Sequence, residues 1–220
     1  MQKQLIKWYQ ENKRDFPWRK DQDPYHIWIS EIMLQQTTTE TVIPYYNRFL
    51  KNFPNVEALA SASLEEVYKM WEGLGYYRRA KHIHESAQII LEKYQGVFPY
   101  EYDAILSLKG IGEYTAGAIS SIAYGKQVPA VDGNVLRIIS RYYLIKENIA
   151  ETKVQKKIYQ IVQELILNHD ASAFNQGMMD LGATICKPVH PLCLECPIQK
   201  GCLAFKKKQM DVLPINIKKI

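Results

Sequence analysis

The chain has 220 residues, 47% hydrophobic and 23% charged, which is the composition of an ordinary globular protein with one large domain or two modest ones. No apolar run approaches the ~20 residues that a membrane-spanning helix needs, so we expect no membrane partner. The net charge of +5 is weak evidence for nucleic-acid binding, because residues 203–220 contain five lysines and one aspartate and the rest of the chain is nearly neutral.

Helical periodicity dominates the chain, and strand-like alternation is scarce. Asp23-Pro24 signals a helix start, Phe53-Pro54 a helix end, and Ser63 with Glu66 three residues later predicts a capping box. We therefore predict an all-α protein of about ten helices with a cysteine-rich loop near the C-terminus. In chain order the predicted helical segments are Met1–Asn12, Trp28–Gln36, Thr39–Asn52, Ala58–Ala60, Leu64–Trp71, Ala80–Tyr94, Tyr102–Ser107, Tyr114–Tyr124, Asn134–Tyr143, Lys153–Leu167 and Ala171–Thr184.

All the cysteines of the chain, Cys186, Cys193, Cys196 and Cys202, follow the spacing C-x6-C-x2-C-x5-C. The chain opens MQKQLIKWYQ, without an apolar signal sequence, so we expect a reducing, cytoplasmic compartment in which a disulfide framework is disfavoured. Structural zinc prefers paired C-x2-C knuckles, and only one such pair is present. An iron–sulfur cluster tolerates uneven spacing. The spacing therefore favours a cluster and leaves zinc as the alternative.

Residues 108–118 read LKGIGEYTAGA, in which Gly110 and Gly112 flank one apolar residue between two predicted helices. Glycines at this spacing allow a positive φ and leave backbone N–H groups exposed at the start of the next helix. Such a helix start binds anions, and a DNA phosphate fits it without sequence preference. A simple tight turn is the alternative. The longer pattern L-x-G-[IV]-G-x-x-T-A, however, resembles the helix-hairpin-helix motif of DNA repair proteins.

With this hairpin upstream of the cysteine loop, the chain resembles the endonuclease III superfamily of base-excision DNA glycosylases. Within that superfamily it is similar to the MutY-type adenine DNA glycosylases. The segments that carry the resemblance span nearly the whole chain: PWR (17–19), DPYHIWISEIMLQQT (23–37), TVIPYYNRF (41–49), WEGLGYYRRA (71–80), AVDGNV (130–135) and FNQGMMDLGA (174–183).

The resemblance implies two helical lobes with a cleft between them. One is a six-helix barrel with the helix-hairpin-helix motif, residues 21–132. The other is an iron–sulfur lobe formed by residues 1–20 and 133–220, in which the four cysteines hold a [4Fe–4S] cluster. The implied partner is double-stranded DNA containing a mispaired adenine, bound by a monomer, and the implied location is the bacterial nucleoid.

Glu31 and Asp132 are the candidate catalytic carboxylates. Releasing a base from deoxyribose requires an acid that protonates the base and a carboxylate that supports an oxocarbenium-like sugar. Glu31 falls in an apolar helical segment, although without the family a solvated surface glutamate is the preferred interpretation. Asp132 precedes a helix and is also an ordinary N-cap candidate. The resemblance implies that Glu31 is the general acid/base and Asp132 the cation-stabilising or nucleophilic carboxylate.

Tyr114 occupies the position at which bifunctional relatives have a strand-cleaving lysine, according to the resemblance. A tyrosine cannot form a Schiff base, so we expect base release without efficient lyase activity. Tyr114 and Asn134 are implied to support the reacting sugar and Asp132. A buried tyrosine that only packs in a helix is the plain alternative.

The resemblance also implies which residues contact DNA. Gln36 and Tyr76 are expected to enter the base stack on the strand opposite the flipped base. The alternative for Tyr76 and its neighbouring tyrosine is packing with a hydrogen-bonded hydroxyl. The best local basic cluster consists of Arg78, Arg79 and Lys81, which are candidate phosphate ligands. Beside these residues, the DNA-binding set comprises Gly110 and Gly112, and the adenine pocket comprises Arg19 and Gln176.

We therefore expect a monofunctional glycosylase that excises adenine mispaired with 8-oxoguanine or guanine. Two alternatives remain: a thymine or uracil mismatch glycosylase of the same superfamily, and a non-catalytic iron–sulfur DNA-binding protein. The Gln35-Gln36 pair favours adenine, and the presence of both carboxylates favours an enzyme. Typical adenine glycosylases continue into a Nudix-like C-terminal domain, whereas the given sequence ends at Ile220. Either it is a catalytic-domain fragment or a naturally short member, and on either interpretation we do not expect the catalytic part alone to show a strong preference for 8-oxoguanine.

Overall fold

The computed structural model describes residues 1–217, so Lys218 and Lys219 of the basic tail lie outside the described part. Within residues 1–217 every regular element is a helix, which confirms the predicted all-α class. The α-helices are α1 (Gln2–Asn12), α2 (Pro24–Leu34), α3 (Thr39–Asn52), α4 (Val56–Ser61), α5 (Leu64–Trp71), α6 (Arg78–Tyr94), α7 (Tyr102–Leu106), α8 (Glu113–Tyr124), α9 (Gly133–Tyr143), α10 (Thr152–Ile166), α11 (Ala171–Thr184) and α12 (Leu203–Lys206). Short 3₁₀ turns form at Pro17–Arg19, Cys193–Glu195 and Gln199–Gly201. No helix in this part of the chain is long and apolar enough to cross a membrane.

The helix boundaries follow the capping signals of the sequence. α3, α5 and α11 begin and end at the predicted residues, and Ser63 and Glu66 form the predicted capping box. Asp23 caps α2 by accepting a hydrogen bond from the Tyr25 N–H, and Pro24 takes the first helical position. α2 therefore starts at Pro24 rather than at the predicted Trp28, because the cap and not the apolar run sets its start. α12 and the 3₁₀ turns, which were not predicted, are too short to show periodicity.

The chain forms two compact units with separate hydrophobic cores. We call residues 15–124 the hairpin unit, and residues 1–14 together with 125–220 the cysteine unit. The units divide after Arg14 and Tyr124, whereas the sequence placed the boundaries after residues 20 and 132. Phe16 and Trp18 explain the earlier boundary, because both are buried in the core of the hairpin unit.

The hairpin unit is built around α2. This helix packs against α3, α6, α8 and the Pro17–Arg19 turn. Its residues from Ile27 to Met33 are all buried, so no face of α2 is left for solvent. Any polar side chain in the middle of α2 is consequently held inside the unit.

The cysteine unit joins the start of the chain to its C-terminal half. α1 packs on α11, and α9 packs against α10, α11 and α12. Arg14, just after α1, donates two side-chain hydrogen bonds to the buried Asp180 of α11. A Cβ at Gly182 would lie 2.5 Å from the Cβ of Asn134, so glycine at this position lets α11 approach the start of α9.

Candidate active site and cysteine centre

Glu31 lies in the middle of α2 and is buried, with 7% of its surface exposed. The solvated surface position that the bare sequence favoured is therefore wrong. The physical reason is tertiary packing. Neighbouring helices and the Pro17–Arg19 turn cover α2, so its central residues do not divide into a solvent-exposed face and a buried face. Burial disfavours the charged form of a carboxyl group, which is the environment that a proton-donating acid requires.

Asp132 is half-buried and caps α9, as its position before a helix predicted. Its Oδ1 accepts the backbone N–H of Val135 at 2.8 Å, and its Oδ2 accepts the side-chain amide of Asn134 at 2.7 Å. Both carboxylate oxygens are thereby fixed in direction. The predicted partnership of Asn134 with Asp132 is present as a direct hydrogen bond.

Arg137 continues this hydrogen-bonded chain along α9. It donates to the Asn134 Oδ1 at 2.7 Å, to the carbonyl of Gly182 at 2.9 Å and to the carbonyl of Cys186 at 2.8 Å. Burial lowers the pKa of this guanidinium, opposed by the nearby Cys186 and Asp132. The Asp132 carboxylate is thus linked, through two side chains, to the first residue of the cysteine loop.

Arg141, one helical turn further along α9, also contacts the cysteine loop. It donates to the Cys186 Sγ at 3.4 Å, to the carbonyl of Lys187 at 2.7 Å and to the carbonyl of Leu213 at 2.8 Å. The sequence interpretation missed Arg137 and Arg141. Their spacing of four places both on one face of α9, but the sequence carries no signal that the two side chains are buried.

The four cysteines line one small cavity with almost entirely apolar walls, shared with Arg141, Ile185, Gln199, Phe205 and Met210. Within residues 1–217, no group of three or more His, Cys, Asp or Glu side chains is arranged so that it could hold a metal ion. A closed zinc site would place four sulfurs about 2.3 Å from one ion. Four cysteine thiols that line one cavity are also the donor set of a [4Fe–4S] cluster, and the Arg141 guanidinium lies beside them.

The thiols themselves are perturbed by their surroundings. Burial raises the pKa of Cys196 to about 12, and it also raises the pKa of Cys193 and of Cys202. Metal ligation requires thiolates, so binding at this cavity must release protons.

The hairpin connects α7 and α8 through residues 107–112. Leu108 and Ile111 are buried, whereas Gly110 and Gly112 are exposed. Gly110 adopts a φ of +78°, and a Cβ there would lie 2.9 Å from the His82 side chain. Gly112 lies outside the left-handed region and faces open space, so the expectation of positive φ applies to Gly110 alone. What glycine provides at Gly112 is open access to the backbone at the start of α8.

Gln36 and Tyr76 are both exposed, and both adopt left-handed backbone conformations, with φ of +59° and +49°. Tyr76 is 61% exposed, so the alternative of a packed tyrosine does not apply to it. Arg78 is exposed and hydrogen-bonds His82. Arg79 is buried, and backbone carbonyls occupy its guanidinium. The predicted phosphate contact of Arg79 therefore does not fit the structure, because the guanidinium does not reach the surface.

The remaining predicted residues lie in separate places. Arg19 is half-buried in the hairpin unit with its guanidinium over the Phe16 ring, and Tyr114 is half-buried in the first turn of α8. Gln176 is buried in α11 of the cysteine unit, where its amide donates to Ser172. Their roles in binding a base or sugar remain predictions.

A profile of the HhH-GPD superfamily of base excision DNA repair proteins matches residues 29–164. The chain belongs to this superfamily. The match runs from α2 through the hairpin and α9 into α10, and so includes Glu31, Tyr114, Asp132 and Asn134.

Curated relatives of this superfamily member include adenine DNA glycosylases. That of Buchnera aphidicola subsp. Acyrthosiphon pisum (strain APS) is 46% identical over 217 residues, covering 98% of this chain and 62% of that protein. That of Mus musculus is 42% identical over 218 residues, covering 95% of this chain and 42% of that protein. The chain therefore spans 62% and 42% of the length of these two relatives.

Solved structures give the same fold. A thermostable thymine-DNA glycosylase superposes with a TM-score of 0.85 at 32% identity, covering 93% of this chain and 94% of that one. Endonuclease III in a non-covalent DNA complex superposes with a TM-score of 0.76 at 23% identity, covering 93% and 94%. The second likeness supports the fold alone.

Proposed function

We propose that the chain excises adenine mispaired with 8-oxoguanine or guanine in duplex DNA by hydrolysing the N-glycosidic bond. The observation that carries the proposal is the buried carboxyl group of Glu31, in a stretch of α2 that is apolar apart from Ser30. The choice of adenine is supported by the 46% identity to an adenine DNA glycosylase. The Gln35-Gln36 pair at the end of α2 agrees with it.

The first step is extrusion of the target base, which an enzyme acting on paired DNA must perform. Gln36 and Tyr76, exposed on tight turns of the hairpin unit, enter the stack on the opposite strand. The open backbone at Gly112 and the exposed Arg78 take phosphates. Arg19, in the hairpin unit, and Gln176, in the cysteine unit, are the residues that we propose for recognition of the adenine.

The second step is cleavage of the bond between base and sugar. Glu31 gives its proton to a ring nitrogen of adenine, and the electron pair of the C–N bond leaves with the base. Asp132, held by Asn134 and by its own capping bond, stabilises the positive charge that develops on the sugar. Water then adds to the sugar carbon, and its proton returns to Glu31. Tyr114 supports the sugar but forms no Schiff base, so the DNA strand stays intact.

The cysteine centre has a structural part in this proposal. The residues that would hold a [4Fe–4S] cluster are Cys186, Cys193, Cys196 and Cys202, and binding through all four thiolates would order the loop between them. The side chains of Arg137 and Arg141 then hold α9, and with it Asp132, against an ordered loop.

A second candidate is removal of thymine from mispairs with guanine. It is favoured by the thermostable thymine-DNA glycosylase, which matches at 32% identity over nearly its whole length. The same acid, hairpin and cysteine centre would serve that reaction, so the distinction rests on the base pocket.

The test is a single-turnover assay on matched duplexes containing A:8-oxoguanine, A:G, A:C and T:G, with alkali added to half of each sample. Strand breaks that depend on alkali and occur only at adenine support the proposal. Release of thymine alone would replace it with the second candidate, and DNA binding without release of any base would indicate a non-catalytic protein.

Glu31→Gln tests the acid role within the same assay. We expect it to bind the A:8-oxoguanine duplex normally and to lose base release by about 100-fold or more, the range of general acid–base catalysis. Glu92→Gln is the matched control, because Glu92 is an exposed glutamate of α6 in the same unit. Equal turnover of the two variants would remove Glu31 from the mechanism.

A further inference from the structure

Arg79 connects two separate turns of the hairpin unit from beneath. It lies in the first turn of α6, and only 8% of its surface is exposed. One end of its guanidinium, Nη1, points at the C-terminal end of α2, and the other, Nη2, points at the turn before α6. Nη1 donates to the carbonyls of Ile32 (2.9 Å), Met33 (2.7 Å) and Gln35 (2.7 Å), and Nη2 lies within reach of the Thr37 Oγ1 (3.4 Å) and the carbonyls of Leu74 (3.5 Å) and Gly75 (3.2 Å).

This arrangement is suited to an arginine and not to a lysine. The last carbonyls of a helix have no partner within the helix, and a cation there also meets the negative end of its dipole. The planar guanidinium serves both turns at once because its donors point in fixed, divergent directions, whereas an ammonium is a compact point charge. The guanidinium also lies over two aromatic rings, at 5.3 Å from Trp71 and 5.4 Å from Tyr76.

Each of the two turns carries one residue in an unfavourable backbone conformation. Gln36 follows the carbonyls that Nη1 binds, and Tyr76 follows the carbonyl of Gly75 that Nη2 binds. Both residues have left-handed φ angles although neither is glycine. Such conformations cost of order 1–3 kcal/mol each and persist only where the surrounding structure imposes them. Arg79 is a shared source of that constraint, since it fixes the residue before each of them.

We propose that Arg79 is a positioning residue that holds Gln36 and Tyr76 in a fixed mutual geometry, so that both enter the base stack together. This inference rests on the proposed function, because it assigns a role to the two residues that the proposal places in the DNA. It gives Arg79 an indirect part in base extrusion without contact to DNA. It also accounts for a buried arginine beside the exposed Arg78, since the two adjacent cations serve different tasks.

The experiment compares Arg79→Lys with the unaltered chain on two duplexes of one sequence. In the first, adenine is paired with 8-oxoguanine. In the second, adenine faces an abasic-site analogue, so no opposite base has to be displaced. We expect Arg79→Lys to lower the single-turnover rate about 100-fold on the mispair, as small misplacements of positioning groups do, and to leave the rate on the second duplex nearly unchanged. An equal loss on both duplexes, or no loss on either, would overturn the proposal.

Arg48→Lys is the matched control. Arg48 lies in the same unit, donates to the carbonyl of Met70 and lies over the Tyr45 ring, but contacts neither turn. We expect Arg48→Lys to keep the unaltered ratio of rates on the two duplexes. If Arg48→Lys changed the ratio of the two rates as much as Arg79→Lys does, the effect would not be specific to Arg79, and the proposal would be overturned.

A second comparison separates positioning from general support of the fold. The second background is a chain that already carries Gln36→Ala and Tyr76→Ala. In this chain we expect Arg79→Lys to lower the single-turnover rate on the mispair by less than threefold, because the side chains that Arg79 positions have been removed. A further 100-fold loss of rate in that background would overturn the proposal.

If Arg79→Lys does not fold, we use Thr37→Val in its place. This substitution removes one acceptor of the Arg79 guanidinium and leaves the cation in place. We expect Thr37→Val to lower the ratio of the rate on the mispair to the rate on the abasic-analogue duplex, by less than Arg79→Lys does. An unchanged ratio would contradict the proposal.

The two proposals fail in different ways. If the unaltered chain releases no adenine from either duplex, the proposed function is wrong. If the unaltered chain releases adenine from both and Arg79→Lys behaves like it, only the role of Arg79 is wrong.

Discussion

The side-chain amide of Asn134 donates to the Oδ2 of Asp132 at 2.7 Å, two residues before it in the chain. The oxygen of the same amide accepts a hydrogen bond from Arg137. Asn134 therefore cannot rotate its amide without breaking one of these two bonds. The orientation of the candidate catalytic carboxylate is set by a side chain that is itself fixed.

Asn134→Ala is expected to lower the rate of base release about 100-fold while the chain stays folded, because Asp132 loses the donor that orients its Oδ2. A single-turnover assay on the A:8-oxoguanine duplex measures the change, and thermal unfolding checks the fold. Asn148→Ala is the control, since it removes an amide in the same unit that bonds the backbone of Ile217. If both variants lose activity to the same degree, the bond to Asp132 has no special role.

The two hairpin glycines provide a matched pair. Gly110→Ala should destabilise the chain by about 1–2 kcal/mol, because its backbone is left-handed and the new methyl meets His82. Gly112→Ala should leave stability within about 0.5 kcal/mol, because the methyl enters open space. Urea unfolding measures both.

Although Gly112→Ala should leave stability nearly unchanged, we expect it to lower the affinity for DNA. A methyl at the start of α8 blocks close approach of a phosphate, so we expect weaker binding to any duplex, with or without a mispair. Titration of a labelled duplex checks this. Unchanged affinity in Gly112→Ala would mean that phosphates do not contact the backbone at this position.

Tyr114→Lys is expected to gain strand-cleaving activity, because a lysine amine can attack the sugar and form a Schiff base that tyrosine cannot. Borohydride should then trap a covalent protein–DNA adduct, resolved as a shifted band on a denaturing gel. Tyr114→Phe, which offers no amine, should give no adduct. Absence of an adduct in the lysine variant would place Tyr114 away from the reacting sugar.

The cysteine centre predicts the metal content of the chain. We expect about four iron atoms and four inorganic sulfides per chain, and a brown protein. Cys196→Ser should lose the iron, and its free energy of unfolding should fall by about 3 kcal/mol. The reason is that a group bound only by the folded state stabilises that state. A colourless chain with one bound zinc would establish the alternative that the cysteine spacing left open.

The helices were predictable because their signals are local. The caps at Asp23, Ser63 and Asp132 act within three residues of themselves, so the sequence contains both partners of each hydrogen bond. The role of Gln36 and Tyr76 in the base stack came from the resemblance, and their exposed positions are compatible with it. The role of Arg79 was not anticipated, because adjacent arginines in a sequence resemble a phosphate-binding cluster whether or not one of them is buried.

By itself, the sequence determined the helical class, the hairpin turn and the set of four cysteines, since each depends on spacing along the chain. The tertiary structure decided which side chains lose contact with water. α2 is covered by three other helices, which makes Glu31 a buried carboxyl group, and the buried Arg79 donates to backbone carbonyls at the C-terminal end of α2. Burial depends on residues that are distant in the sequence. The hydrophobic periodicity of one helix therefore does not predict how many other helices will pack against it.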